Sequence, residues 1–267
     1  MPELVSAWRG VGGDRVGRPR LPLPPGRMPP WRGGRPLKRW TWVGAFGPEL
    51  MLCAAVARIG PIASAWWAVW DGGALRERTL RRAGGMVVTP SRVLVPGVME
   101  LSVGDGAPVE VVSPHGAQYI WTRKRGGVRV QGTALGREVD LAGLVDESAG
   151  YHARRTAWLW SAGVGVLESG SPVAWNLVDG VHDAPAASER TVWVDGEPRE
   201  LPPQPFDGLA GVGGLRFDAQ ATRARRERLL LVSSDYEQPF GAFAGELPGA
   251  GALREGWGVM ERHAVAW

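Results

Sequence analysis

Cysteine occurs once in the 267 residues, at Cys53, so no intramolecular disulfide and no multi-cysteine metal site can form. Lysine is almost as scarce: Lys38 and Lys124 are the only two among 31 basic residues, and all the others are arginines. Long apolar runs are missing as well. The most apolar stretch, from Val43 to Trp70, is interrupted by Pro48, Glu49, Arg58 and Pro61, which excludes the run of about 18 residues that a membrane helix needs. No apolar signal core follows the first charges at the N-terminus. There is no GxGxxG, no Walker A, no HExxH and no cysteine pair, so nucleotide chemistry and a metal centre have no sequence support. These absences lead to the expectation of a cytoplasmic chain with no cofactor, no metal and no integral membrane association.

What is present points to an all-β protein. Hydrophobic residues make up 44% and charged residues 22%, a balance that supports a packed core and excludes wholesale disorder. Glycine (39) and proline (22) punctuate the chain often enough to rule out long helices and favour short strands joined by turns. The length suits one large core or two small ones.

The positive charge is unevenly placed. Residues 1–40 carry nine basic side chains and two acidic ones, Glu3 and Asp14, so a chain of net charge +4 has a mildly acidic body. A nucleic-acid binder is expected to carry its basic stripe on the folded domain. Here the stripe lies on a Pro/Gly-rich segment, residues 1–36, which reads as a solvated arm, with Trp31 and Met28 as the residues that could still pack it. No nucleic-acid partner is expected.

From residue 37 onward the pattern is that of strands. Trp40, Trp42, Gly44 and Phe46 alternate with Thr41, Val43 and Ala45, a period of two. Short runs then recur about every ten residues, each closed by a Gly or Pro signal, which is the signature of a sandwich or barrel. Asp195-Gly196 is a hairpin turn signal between two such runs. The segment 218–231 (DAQATRARRERLLL) is the one place where a helix is expected. The two halves are similar in strand density. The expected architecture is therefore two antiparallel β-barrel or sandwich units, 37–140 and 141–267, after the arm.

Tryptophan is the most unusual residue, with 14 against five Phe and three Tyr. Its ring is amphipathic, with a single N–H donor, and suits either core filling or the lining of a site that is apolar yet orienting. Trp158, Trp160, Trp175, Tyr236 and Trp257 are the expected ligand-binding residues. On the last strand, Trp257, Val259, Glu261, His263, Val265 and Trp267 share one face by period two. That places a carboxyl and an imidazole together on an apolar face, where burial raises the first pKa and lowers the second. Glu261 and His263 are the leading candidates for acid–base chemistry, with Asp235 after them and His152 and Asp179 next.

Five segments resemble an uncharacterised bacterial family, domain of unknown function 2804: Arg39–Cys53, Gly150–Trp158, Ala174–His182, Ser234–Gly241 and Gly258–His263. The family brings no assigned activity. More distantly, the Trp-rich β layout and the closing Met-Glu-x-His strand are similar to the carotenoid hydratase, tocopherol cyclase and AttH-like group. That resemblance implies two lipocalin-like β units and a prenyl or other apolar ligand. Binding of a small apolar, lipid- or isoprenoid-like ligand is thus the first expected function. A hydratase, isomerase or cyclase that uses a buried carboxyl as acid is the alternative. A structural or interaction protein without a cavity is the third reading, and the sequence leaves open whether any reaction is catalysed. No feature specifies an oligomeric state.

Overall fold

A computed structural model of the chain describes residues 6–229 and 232–267. The described residues contain strands and turns and no helix. The N-terminal segment forms β1 (Trp8–Val11) and a short ribbon of β2 (Trp31–Arg32) and β3 (Arg35–Pro36). A meander follows, made of β4 (Lys38–Phe46), β5 (Met51–Ile59), β6 (Ile62–Trp70) and β7 (Leu75–Leu80). Then come β8 (Val87–Thr89), β9 (Arg92–Val95), β10 (Met99–Val103), β11 (Pro108–His115), β12 (Gln118–Ala134) and β13 (Arg137–Gly150). The rest of the chain gives β14 (Arg155–Leu167), β15 (Pro172–Asp179), β16 (Thr191–Val194), β17 (Glu197–Glu200), β18 (Phe206–Asp207) and β19 (Gly211–Val212). Three long strands close it: β20 (Gly214–Leu229), β21 (Val232–Leu247) and β22 (Gly251–Ala266).

These strands form two large antiparallel sheets. The first runs β7-β6-β5-β4-β13-β12-β10-β9-β8, with β11 pairing the first part of β12 and β1 pairing β11. The second runs β17-β16-β15-β14-β22-β21-β20-β19-β18. Each sheet curls around an apolar core of its own. Val43, Leu52, Val69, Val93, Leu101 and Val130 fill the first; Trp175, Leu177, Phe243 and Met260 fill the second. A third cluster lies between the sheets and joins Trp42, Phe46, Met51 and Cys53 to Trp160, Val164, Phe240 and Val259. The alternation of β4 and β22 decides this layering: every second side chain turns inward to its own unit, and the others face the opposite unit.

Three expectations need correction. The segment 218–231 is not helical: residues 218–229 belong to β20 and pair with β21, while residues 230 and 231 lie outside the described residues. The changeover between units falls after Gly150, where β13 ends, because residues 137–150 are one continuous strand; a boundary at 140/141 would cut it in two. Nor is the arm solvated throughout. β1 pairs β11, and Leu23 and Met28 are buried against Val112, Tyr119, Trp121 and Tyr151. Its arginines find remote acids: Arg18 donates to Glu110 at 2.8 Å, and Arg9 sits 3.7 Å from Glu200. Glu3 lies outside the described residues. The Asp195-Gly196 turn is as read, with positive φ at both positions (53° and 82°) between β16 and β17. No helix among the described residues is long and apolar enough to cross a membrane.

Candidate functional site

Toward one end of the contact between the sheets, the packing opens into a cavity of about 930 Å³. Its walls carry Trp40, Trp42 and Trp66 from the first sheet and Trp158 and Trp160 from the second, with Trp267 following β22. The deep end closes on the shared cluster, where the Trp42 and Trp160 rings meet edge to face at 5.1 Å. The mouth lies between the β5–β6 turn and the outer parts of β20 and β21. There the lining residues Ile62, Arg226 and Arg228 are exposed.

One wall is built around Glu261. Its Oε1 accepts a hydrogen bond from Trp158 Nε1 at 2.8 Å, and its Oε2 accepts from Gln238 Nε2 at 2.7 Å. Burial, opposed in part by the Trp158 bond, pushes the carboxyl up to about 7. His263 stands two residues along the same strand but does not bond Glu261. Its Nε2 pairs with Ser234 Oγ at 2.8 Å, and its ring packs against Trp158 and Tyr236. Burial, with the nearby Arg223 charge, brings the imidazole down to about 4, so it stays neutral at pH 7. Tyr236 lies beneath the Arg223 guanidinium, 4.8 Å from the ring centre, and burial holds its phenol well above the ordinary range. Arg223 itself is anchored outward by Glu77 at 2.8 Å and by Thr79.

The opposite wall holds a buried ion cluster. Lys124 Nζ lies 2.8 Å from Asp146 and 3.2 Å from Glu189. Burial works against its charge, but the two carboxylates outweigh it and hold the ammonium above its ordinary range. Glu189 moves up instead, because burial outweighs Lys124. Trp40 Nε1 donates to Asp146 at 3.1 Å, and Asn176 links Trp160 to Glu189. His182 occupies a left-handed conformation at φ 49°, and its Nδ1 pairs with Ser113 Oγ at 2.9 Å. Burial keeps both His152 and His182 well below the usual imidazole range.

Among the described residues, nine buried side-chain nitrogens and oxygens make no well-aligned hydrogen bond within the protein, although one of them, Arg223 Nε, is ion-paired with Glu77 at 2.8 Å. All but His115 Nε2 and Gln118 Oε1 belong to residues that line this cavity, including Trp42, Trp66, His152, His182 and Tyr236. Native interiors pair almost every buried polar group, and here the unpaired ones gather around one space.

Of the expected residues, the structure brings Glu261, His263, His152, Trp158, Trp160 and Tyr236 to the cavity. It separates four others from it. Asp235 points away and pairs with Arg226 at 2.7 Å, because it neighbours the inward-facing Tyr236 on β21. Asp179 is exposed at the end of β15. Trp175 faces the second unit's own core, bonded to Ser161 and packed against Phe243. Trp257 shares a face with Glu261 but lies deeper, against the cluster between the sheets. The sequence reading missed Lys124, Asp146, Glu189, Gln238 and Arg223. Lys124 carried a usable signal as one of two lysines, and Gln238 lies within the Ser234–Gly241 segment. Glu189 carried none.

Residues 91–202 match the model of the family described as Domain of unknown function (DUF2804). Two of the five segments that carried the resemblance lie inside that span. Among solved structures, the chain is similar to an AttH-like protein of Nitrosomonas europaea, at 12% identity over 90% of this chain and 98% of that one, with a TM-score of 0.40. It is similar to kievitone hydratase of Nectria haematococca at 10% identity, over 84% and 88% of the two chains, TM-score 0.41. CghA matches at 11% identity over 98% of each chain, TM-score 0.37. No curated protein matches the chain.

Proposed function

We propose that this protein binds a small, largely apolar molecule carrying one or more hydrogen-bonding groups, in the cavity between its two sheets. The observation that carries this reading is the coincidence of a tryptophan-lined space of about 930 Å³ with the unpaired polar atoms of Trp66, His152, His182 and Tyr236. The volume suits a ligand of drug or lipid size, and apolar walls with a few placed polar groups are the usual make-up of such a site. Solid packing would have left neither. Six tryptophans on the wall supply the readout. Apolar alcohols such as dodecanol should quench Trp fluorescence saturably, and native mass spectrometry of gently purified protein should detect a co-purified apolar molecule. Neither signal appearing would overturn the reading.

A second reading is favoured by one specific observation, the Glu261 carboxyl. With a pKa of about 7 it is protonated in a large fraction of molecules near neutral pH, and it sits at the edge of an aromatic cavity. The raised pKa keeps a proton on the carboxyl near neutral pH, where a positioned general acid can deliver it to a double bond or a leaving oxygen and tryptophan faces can stabilise the cation that forms. The neutral His263 beside it adds no competing positive charge. This is proton-transfer chemistry of the hydratase, isomerase or cyclase type. Glu261→Gln separates it from plain binding, since dodecanol quenching survives under both readings and turnover of any substrate is lost only under this one.

A further inference from the structure

The two ends of the cavity differ in charge. At the deep end, beside the Trp42 and Trp160 rings, the cation is Lys124, 5.6 Å from the centre of the Trp160 ring. It lies between Asp146 and Glu189, so two carboxylates already surround one ammonium. The mouth is the reverse. Arg223 on β20 bonds Thr79 on β7. Two residues further out, Arg225 on β20 and Arg81 just past the end of β7 both line the cavity. Arg226 and Arg228, on the outer face of β20, reach its rim. Glu227 is the carboxylate among them, and Arg225 holds it at 2.7 Å. Arg226 is turned onto Asp235 at 2.7 Å. That leaves Arg81 and Arg228, both exposed, with neither an ion pair nor a side-chain hydrogen bond among the described residues. Arg225 Nε is buried and makes no hydrogen bond within the protein. Between the two ends the wall is aromatic: Trp40 and Trp158 stand two residues mouthward of Trp42 and Trp160 on β4 and β14.

We infer that the cavity's ligand is an amphiphile whose apolar chain enters the aromatic space and whose other end is an oxyanion, a carboxylate or a phosphate, held at the mouth by Arg81 and Arg228 with Arg225 beside them. The inference rests on the binding reading above and narrows it. Guanidinium N–H forks match the paired oxygens of such groups, and a cationic rim on a low-dielectric pocket draws anions toward it. The ends fix the ligand's direction. An anionic head at the deep end would lie against Asp146 and Glu189, and a cationic head at the mouth would meet four arginines against Glu227 and Asp235.

The test uses chains of equal length with different heads on the full protein: dodecanoate, dodecyl phosphate, dodecanol and dodecyltrimethylammonium, read by Trp quenching. Both acids should bind more tightly than dodecanol and the ammonium more weakly, and the tighter of the two acids names the head group. The advantage of the acids should shrink when NaCl is raised from about 20 mM to about 500 mM, because salt screens an exposed ion pair. In the double variant Arg81→Gln, Arg228→Gln the affinity ratio of dodecanoate to dodecanol should fall by about fivefold. Both side chains are exposed, and dodecanol quenching in the same variant reports that the pocket is still formed. Should the variant fail to fold, the salt dependence of the native chain decides the matter. Dodecanol binding as tightly as the acids overturns the inference and leaves the binding reading standing. So does a ratio unchanged in the double variant, which would put the head elsewhere in the cavity. Failure of all four compounds to quench overturns both.

Discussion

Trp175 and Trp66 are the same residue in one small protein, yet they have opposite circumstances. Trp175 is fully buried in the second unit's core, its ring lies over Gly163 where a Cβ would collide with it, and its N–H is bonded to Ser161 at 3.1 Å. Trp66 forms part of the cavity wall, and its buried N–H has no partner in the protein. The contrast extends to the regions around them. The second unit's core is closed by Leu177, Val192, Phe243 and Met260, with every neighbour apolar or satisfied. The cavity gathers the carboxyls of Asp146, Glu189 and Glu261, three imidazoles, a phenol and two buried cations around an aromatic space. Most wall tryptophans are also bonded, Trp40 to Asp146, Trp158 to Glu261 and Trp160 to Asn176; the wall differs from the core in leaving the N–H groups of Trp42 and Trp66 without a partner in the protein.

The sharpest way to break the comparison is to remove a core tryptophan. Trp175→Ala should destabilise the protein by about 3–5 kcal/mol, the usual cost of emptying a large aromatic site. Urea unfolding should report the loss as a fall in midpoint, and dodecanol quenching of the folded fraction should be little changed. If stability held while quenching disappeared, Trp175 would belong to the site and the assignment of regions would be reversed.

A smaller effect is expected at the cavity wall, and it depends on pH. Glu261 has a folded-state pKa of about 7, above its ordinary 4.5, so the folded state binds its proton more tightly than the unfolded chain. Its contribution is therefore fully present below pH 4.5 and is lost as pH rises through 7. The 2.5-unit difference corresponds to about 3 kcal/mol. His263 acts in the other direction: with its pKa lowered to about 4, its contribution is present above the ordinary 6.5 and is lost as pH falls through 4. Glu261→Gln keeps an oxygen for Trp158 and removes the ionisable group. Unfolding free energies at pH 5 and pH 8 should differ by about 2.5 kcal/mol more in the native protein than in the variant. Parallel pH profiles would mean that Glu261 is solvated.

Much of the fold was readable in the residues. Period-two alternation placed β4 and β22, and Asp195-Gly196 marked its turn. Two of the corrections, at β20 and at the arm, share a physical cause: charged side chains that are buried against partners distant in sequence carry no local sign of burial. β20 looked helical because its inward positions, Ala221, Arg223 and Arg225, offer no apolar alternation. Two of them are arginines that line the cavity, and Arg223 packs over both Tyr236 and Trp66. The arm looked solvated because the acids that receive its arginines, Glu110 and Glu200, are about 90 residues or more away in sequence. The site was half legible for the same reason. Glu261 and His263 lie on one strand, so alternation found them together. Lys124, Asp146 and Glu189 come from two strands of one sheet and a loop of the other, and only the facing of the sheets unites them.

The smallest expected effect separates the two regions most finely. The Tyr236 hydroxyl is buried near the Arg223 guanidinium and the Glu261 carboxyl without a well-aligned hydrogen bond to either, so the fold gains little from it and bears the cost of its desolvation. Tyr236→Phe keeps the ring beneath Arg223, and stability should stay level or rise by up to about 1 kcal/mol. In a core the same change on a bonded hydroxyl, such as Tyr119 with its 2.8 Å bond to Pro22, should cost about 1 kcal/mol instead. The loss at Tyr236 should appear in binding: a ligand that pairs with the hydroxyl should bind several-fold more weakly, about the worth of one neutral hydrogen bond. Dodecanol, with one hydroxyl of its own, compared with dodecane is the discriminating pair. If Tyr236→Phe weakens dodecanol alone, the hydroxyl is a ligand handle. If it instead lowers the melting temperature and leaves both compounds unaffected, the hydroxyl holds the wall together and the unpaired atoms around the cavity lose their meaning as handles.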